Sequence, residues 1–256
     1  MKKLIILIAL FIGFNSSAQD KAAKAQALLE KLTNENNVIG ATAGYSVDGE
    51  TVWQAASGYA DQKTKKEFTT TTITRLASIA KPMTAIAVMQ LVEQGLIDLD
   101  ATVQTYIPDY PTQASTQIII RHLLSHTSGI GGYKNGKEAE TKKEYASLND
   151  ALVIFKDRDL LFEPGTKYNY TTYGYTLLGA VVEKVTGQSF EAYLQKNIWD
   201  KAGMENTGVV KYGQVQPNQS SLYQQNSKGK TRVGSENNLS NRIPGGGVYS
   251  TLGDML

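Results

Sequence analysis

The sequence predicts a mixed α/β (α+β) fold, built from antiparallel strands and helices, on three observations. Residues 38–47 and 50–59 are strand-like runs joined by Asp48-Gly49, the strongest short signal for an antiparallel hairpin. Beyond Thr72 the apolar residues instead recur every three or four positions, in blocks that stop at Gly95, at Thr127-Ser128-Gly129 and at Gly187, as helices with glycine-assisted ends do. The length, 256 residues, supports one large domain or a body with an inserted lobe, and no internal repeat divides it.

The N-terminus supplies an address. Lys2 and Lys3 precede an apolar run over residues 4–14, and Asn15-Ser16-Ser17-Ala18 puts small residues at the −3 and −1 positions of a cleavage site. Residues 1–18 therefore read as a signal peptide cut after Ala18, and residues 19–256 as the working domain of a periplasmic or secreted protein. The apolar run is short of the roughly 20 residues of a membrane-spanning helix, no later segment reaches that length, and no cysteine follows it to carry lipid, so no stable membrane anchor is expected.

Cleavage removes two lysines, taking 26 basic residues to 24 against 24 acidic ones. A near-neutral chain argues against a nucleic-acid partner, which needs a concentrated basic surface. With no cysteine there is no disulfide, thiol chemistry or zinc-thiolate site. His122 and His126 have the i, i+4 spacing of a metal clamp, but neither a His-Glu-x-x-His pattern nor a third ligand accompanies them, so neither metal nor cofactor is expected.

Residues 20–37, rich in Ala, Leu, Lys and Glu, carry Ala23, Ala27, Leu28 and Leu32 as an apolar stripe and predict an amphipathic first helix ahead of the hairpin. After the hairpin and a polar loop, Ile79, Met83, Ile86, Met89 and Val92 predict a core-facing stripe on a helix that tolerates Pro82 in its first turn. Residues 117–126 predict a short apolar helix, with His126 a capping residue at its end. Residues 133–148, charged and containing Gly136, predict a mobile surface loop or lid. Residues 173–185 and 189–198 predict two further helices, and residues 200–241 a long, polar, turn-rich stretch.

The candidate chemistry lies at Ser78-Ile79-Ala80-Lys81. Residues three apart on a helix are neighbours, about 5–6 Å between Cβ atoms, so the Lys81 ammonium can reach the Ser78 hydroxyl. A serine hydroxyl is a weak nucleophile until a neighbour takes its proton, and a nucleophile near a helix N-terminus has backbone N–H groups facing the charge that develops on its substrate. The spacing alone proves little, since Ser-x-x-Lys arises by chance about once in a chain of this length. Ser227 and Lys230 repeat it inside a polar, glycine-containing run that reads as loop.

Several stretches taken together resemble the serine β-lactamase-related hydrolases: class C β-lactamases, D-alanyl-D-alanine carboxypeptidases and esterases built like them. The landmarks are Leu76-Ala-Ser-Ile-Ala-Lys81, Ile120-Arg-His-Leu-Leu-Ser-His-Thr-Ser-Gly129, Pro164-Gly165 followed by Tyr170-Thr-Thr172 and Gly174-Tyr-Thr-Leu-Leu-Gly179, and Gly246-Gly-Val-Tyr-Ser-Thr251. The resemblance implies an antiparallel sheet contributed by both chain ends and flanked by helices, with a mostly helical lobe and the active site in a cleft. It implies Ser78 as the acylated nucleophile, Lys81 as its first partner and Tyr170 as the phenol that shuttles a proton. A tyrosine beside a lysine suits that work, because a neighbouring cation lowers its pKa. The substrate implied is a small molecule or peptide: a β-lactam, a D-Ala peptide or a small ester.

Two departures from the family pattern shape the expectation. Its second motif commonly reads Tyr-x-Asn, and here Thr172 stands in the asparagine's place as a shorter substrate-binding group with one donor, which weakens the case for a β-lactam and favours an ester or peptide. Tyr133-x-Asn135 has the right letters but lies in the charged loop. Family members also continue past Gly-Gly-Val-x-Ser-Thr into further strands and a third motif, Lys-Thr-Gly or His-x-Gly, neither of which occurs here. The 256-residue chain is therefore expected to be a fragment lacking the C-terminal strands, with weak or no turnover and impaired stability; losing one oxyanion donor costs other hydrolases roughly 10²–10³ in rate. The competing expectation is a truncated or degenerate relative that binds without catalysing.

Overall fold

A computed structural model describes residues 20–35, 38–112, 115, 117–226 and 229–256. Residues 1–18, expected to be a signal peptide, and Ser227 of the second Ser-x-x-Lys match lie outside the described residues. In chain order the elements are helix α1 (20–35), strands β1 (Gly40–Val47), β2 (Glu50–Asp61), β3 (Lys66–Glu67) and β4 (Thr74–Arg75), then helices α2 (Ala80–Glu93), α3 (Val103–Tyr106) and α4 (Ile120–Leu124). Helices α5 (Gly136–Ala139), α6 (Leu148–Ala151), α7 (Thr172–Thr186), α8 (Phe190–Leu194) and α9 (Asp200–Ala202) follow. Strands β5 (Gly208–Val209), β6 (Tyr223–Gln225), β7 (Thr231–Val233) and β8 (Val248–Ser250) complete the set, with helical turns α10 (Ile243–Gly246) and α11 (Leu252–Met255) on either side of β8. Helices and antiparallel strands are thus mixed, as the sequence predicts. They group into two compact units.

The first unit holds the residues up to Ile73, Pro217–Gly234 and Thr251–Leu256. Asp48 and Gly49 both take positive φ, 52° and 81°, so the turn twists with its strands and pairs Val47 with Glu50. The sheet runs β1-β2-β3, and the C-terminal turn packs on it: at Gly44 a Cβ would stand 2.9 Å from a Leu256 methyl carbon. Residues 252–256 therefore pack on the sheet without adding a strand to it. The expected stripe on α1 is not the inward one. Leu28 and Leu32 are exposed while Leu29 is buried, with Ala22, Ala25 and Thr33 half-buried on its side and Thr33 Oγ1 2.7 Å from Ser57 Oγ.

The second unit, Thr74–Gln216 with Ser235–Ser250, is mostly helical and holds the core. Its small antiparallel sheet runs β4-β8-β5. On α2 the inward face is Ala80, Met83, Thr84, Ala87, Val88 and Leu91, whereas Ile79, Ile86 and Met89 of the expected stripe are exposed. The reason is size. Alanine and threonine on the inner face let α7 and the α10 turn approach closely, and apolar periodicity read from the largest side chains selects the wrong face. Gly95 and Gly187 end α2 and α7 in the left-handed conformation, φ 71° and 67°, as expected.

Residues 133–148 are not a free loop. Asn135 Oδ1 caps α5 by accepting from Glu138 N–H at 3.0 Å, Glu138 pairs with Arg158 at 2.9 Å, and the Tyr145 N–H donates to Ser240 Oγ at 2.9 Å. Of the segment's charges, Glu138 is drawn in to pair with Arg158, while Lys142, Lys143 and Glu144 stay exposed. Tyr133-x-Asn135 is absorbed into this scaffold, with the Arg242 guanidinium 5.0 Å from the Tyr133 ring.

Candidate active site

All four residues singled out from sequence, Ser78, Lys81, Tyr170 and Thr172, fall in the second unit. Ser78 occupies a 3-10 turn, Ala77–Ile79, that runs directly into α2. The turn begins through Ala77 at φ 48°, a left-handed conformation that costs an L-residue about 1–2 kcal/mol and is found where surrounding structure dictates it. That structure is visible: the Leu76 N–H donates to Val248 O on β8 at 2.9 Å. Ser78 itself is exposed.

Three positions on, Lys81 is buried at 5% exposure. Its ammonium donates to Ser78 Oγ at 3.2 Å and to the Gly245 carbonyl at 2.6 Å, and lies 4.8 Å from the Tyr170 ring centroid and 5.6 Å from that of Tyr175. No carboxylate pairs with it among the described residues. An ammonium stripped of water, held by a carbonyl and two π-faces, is a charge without a counter-ion.

The carbonyl that holds it is delivered by α10, wedged between α2 and α7. Thr84 Oγ1 donates to Pro244 O at 2.7 Å from one side and Thr176 Oγ1 to Asn241 O at 2.9 Å from the other. Glycine is required here because a Cβ on Gly245 would fall 2.4 Å from Thr172 Cγ2. This gives the Gly-Gly run a role that sequence reasoning missed.

Tyr170 completes the group. Its hydroxyl donates to Ser78 Oγ at 2.7 Å, and the residue is 48% exposed. Partial burial pushes the phenol's pKa up, but hydrogen bonding with Lys81 and Ser78 and the Lys81 charge outweigh it and hold it below the ordinary value of 10.0. Thr171, next in the chain, caps α7 by accepting from the Tyr173 N–H at 3.2 Å and donates its own hydroxyl to Gly131 O at 3.0 Å. The sequence reaches this geometry through Gly129 and Gly165, both left-handed; a Cβ at Gly129 would meet Phe162 O at 2.3 Å.

Thr172 stands at the first turn of α7 with its methyl against Gly245. Lys81 donates to Gly245 O, not to the Thr172 hydroxyl. The two histidines are engaged separately: His122 Nδ1 accepts from Ile119 N–H at 3.5 Å, and His126 Nδ1 from Thr171 N–H at 3.3 Å. His126 also touches the site, its ring 4.5 Å from that of Tyr170. A capping role alone does not anticipate that contact.

Known proteins resemble the chain over most of its length. The family described as Beta-lactamase matches residues 25–256. The chain belongs to that family. Among its beta-lactamase-like relatives, the mitochondrial serine beta-lactamase-like protein LACTB of Homo sapiens is 29% identical, the alignment covering 90% of this chain and 54% of LACTB. Esterase EstB of Burkholderia gladioli is 31% identical over 77% of this chain and 54% of its own length. The chain thus spans about half the length of the curated relatives it matches. Solved beta-lactamase-fold structures include EstCE1, a hydrolase with promiscuous acyltransferase activity (TM-score 0.82, 25% identity, 94% of this chain and 71% of that one). The D-amino acid amidase of Ochrobactrum anthropi SV3 follows at TM-score 0.78 and 26% identity, over 90% of this chain and 66% of its own.

Proposed function

We propose that the chain is an exported serine hydrolase that forms an acyl-enzyme on Ser78 and hydrolyses an amide or ester. The observation that carries this reading is the convergence of the Tyr170 hydroxyl, 2.7 Å, and the Lys81 ammonium, 3.2 Å, on one exposed serine oxygen. An esterase and an amidase among the relatives support the reaction class.

Protons balance as follows. Lys81 stabilises the phenolate form of Tyr170, which takes the Ser78 proton as Oγ bonds to the substrate carbonyl carbon. The resulting oxyanion is met by the Ser78 backbone N–H, which belongs to the first helical turn, where N–H groups lack partners further back in the helix. Tyr170 then gives its proton to the departing amine or alcohol as the carbonyl re-forms. In the second half a water replaces the leaving group: Tyr170 accepts its proton, the hydroxide adds to the acyl carbon, and Ser78 leaves with a proton from Tyr170. Neither nucleic acid nor a membrane anchor enters this reading.

For the substrate we favour a small ester or peptide over a β-lactam, because Thr172 turns a methyl toward Gly245 where a family asparagine would present an amide. Labelling with a fluorescent fluorophosphonate, followed by mass mapping, is expected to place the adduct on Ser78 and to lose it in Ser78→Ala. Folded, soluble protein that takes up no label would overturn the proposal. A short p-nitrophenyl ester is expected to turn over faster than a chromogenic cephalosporin; the reverse order would refute the preference.

A further inference from the structure

We propose that His126 is the positioning residue of the Tyr170 phenol: its neutral imidazole, through an unprotonated Nδ1, clasps the chain on both sides of Tyr170 and holds that ring over Lys81. The inference rests on the proposed acyl-serine reading and extends it to a residue that reading does not use.

The contacts fall on three successive residues. The His126 carbonyl accepts from the Asn169 N–H at 2.9 Å, its ring lies 4.5 Å from the Tyr170 ring, and its Nδ1 accepts from the Thr171 N–H at 3.3 Å. One residue therefore fixes the backbone before and after the phenol as well as the ring itself. To do so it takes φ 58°, a conformation uncommon outside glycine but entered several-fold more often by Asn, Asp and His. The same ring packs 5.1 Å from Tyr175 and edge-on to Tyr168 at 6.0 Å. No contact places His126 on Ser78, so it acts through Tyr170.

The Thr171 N–H bond dictates the chemistry of the ring. A nitrogen that accepts from an N–H carries no proton, so His126 is neutral and protonated at Nε2 alone. The titratable groups facing it are Lys81 from α2, Tyr168 and Tyr170 from the segment before α7, and Tyr175 from α7 itself; no carboxylate is among them. Burial first, and the Lys81 charge second, push its pKa below the ordinary 6.5, which keeps the neutral form in place at neutral pH. As pH falls through that lowered value, a proton on Nδ1 sets N–H against N–H at Thr171 and a second cation beside Lys81. The clasp opens and Tyr170 loses its register, so activity falls on the acid side.

Three substitutions separate this from plain aromatic packing. His126→Asn keeps an acceptor where Nδ1 was and tolerates the left-handed backbone, His126→Gln offers its acceptor further out, and His126→Phe keeps the ring without any acceptor. Ester hydrolysis is expected to stay within about threefold of the parent in His126→Asn and to drop about tenfold or more in His126→Phe and His126→Gln, the loss being in kcat, as misplacement of a reacting group by a fraction of an ångström gives. The part of the parent's acid limb that follows the titration of His126 is expected to be lost in His126→Asn, leaving only the limb set by protonation of the Tyr170 phenolate. His126→Phe matching the parent, or an unchanged acid limb in His126→Asn, would overturn the proposal. Nitrogen-15 NMR of the parent keeps the test independent of turnover. The Nε2–H tautomer, titrating below 6.5 together with the Thr171 amide, supports the clasp even in protein that takes no label at Ser78. An Nδ1–H tautomer at neutral pH, or a Thr171 amide that ignores the titration, refutes it whatever the fate of the acyl-serine reading.

Discussion

Tyr170 and Tyr173 are three residues apart, and each has its hydroxyl in a hydrogen bond beside a buried or half-buried cation. Tyr173 is fully buried, stacked on Phe155 at 4.6 Å, and donates to the Glu138 carboxylate, which also accepts from Arg158 at 2.9 Å and from the Lys134 N–H at 3.1 Å. Burial, then Glu138, drives its pKa far above the ordinary 10.0. Tyr170 is half-exposed, has no carboxylate, and is held below 10.0 beside Lys81. In the Glu138 cluster every charge meets its opposite and nothing is left to react. Among the described residues the Lys81 charge meets a carbonyl, the Ser78 and Tyr170 hydroxyls and aromatic rings but no carboxylate, so any negative charge that arises nearby, a phenolate or an oxyanion, is stabilised. An unbalanced buried charge within reach of an exposed hydroxyl separates a reactive centre from a structural one.

The widest separation is expected from the two cations. Lys81→Met should slow acylation of Ser78 by about 10²–10³-fold, because the Tyr170 phenolate loses the charge that stabilises it, with the fold retained. Arg158→Met should leave labelling of Ser78 within a few-fold of the parent while lowering stability by about 1–3 kcal/mol, because Glu138 keeps its charge and loses a donor. Fluorophosphonate labelling rates and urea midpoints measured side by side decide it, and equal labelling by the two variants would erase the distinction. The tyrosines themselves give the next largest effect. Tyr170→Phe is expected to cost about 10²-fold in acylation with an unchanged melting temperature. Tyr173→Phe is expected to cost stability of about 1 kcal/mol and to spare labelling. Equal loss of labelling in both would remove Tyr170 from the mechanism.

How much of this the sequence disclosed follows from how far apart the partners lie. The Asp48-Gly49 hairpin, the glycine stops at Gly95 and Gly187, and the Ser78–Lys81 pair are local, set by backbone preference or by one turn of helix. The Lys81–Gly245 bond joins positions 164 apart, and Glu138 meets Arg158 across 20, so neither the function of the glycine run nor the docking of residues 133–148 could be read from periodicity. The α2 face misled for a different reason. Ile79, Ile86 and Met89 carry the apolar signal, yet the inner surface is chosen by where Ala80, Thr84 and Ala87 leave room for α7. His126 was legible as a capping residue, but its left-handed backbone and its contact with Tyr170, 44 positions on, are set by the tertiary fold.

The smallest expected effect tests the structural half of the comparison through pH. Burial alone would raise the Glu138 pKa; the bonds from Tyr173, the Lys134 N–H and Arg158 outweigh it and leave it below the ordinary 4.5. A carboxyl whose folded value is depressed stabilises the native state fully above its unfolded value and loses that contribution as pH falls through the folded one. Glu138→Gln cannot titrate, so the melting-temperature gap between parent and variant should be constant from neutral pH down to the ordinary 4.5 and then close progressively as pH falls through the depressed folded value. For a chain of this size each kcal/mol moves the melting temperature by about 2–4 °C, well within the resolution of a thermal scan. A gap that stays level below 4.5 would mean that Glu138 is not held by the charges around it. Tyr173 would then stand in an environment no more balanced than that of Tyr170.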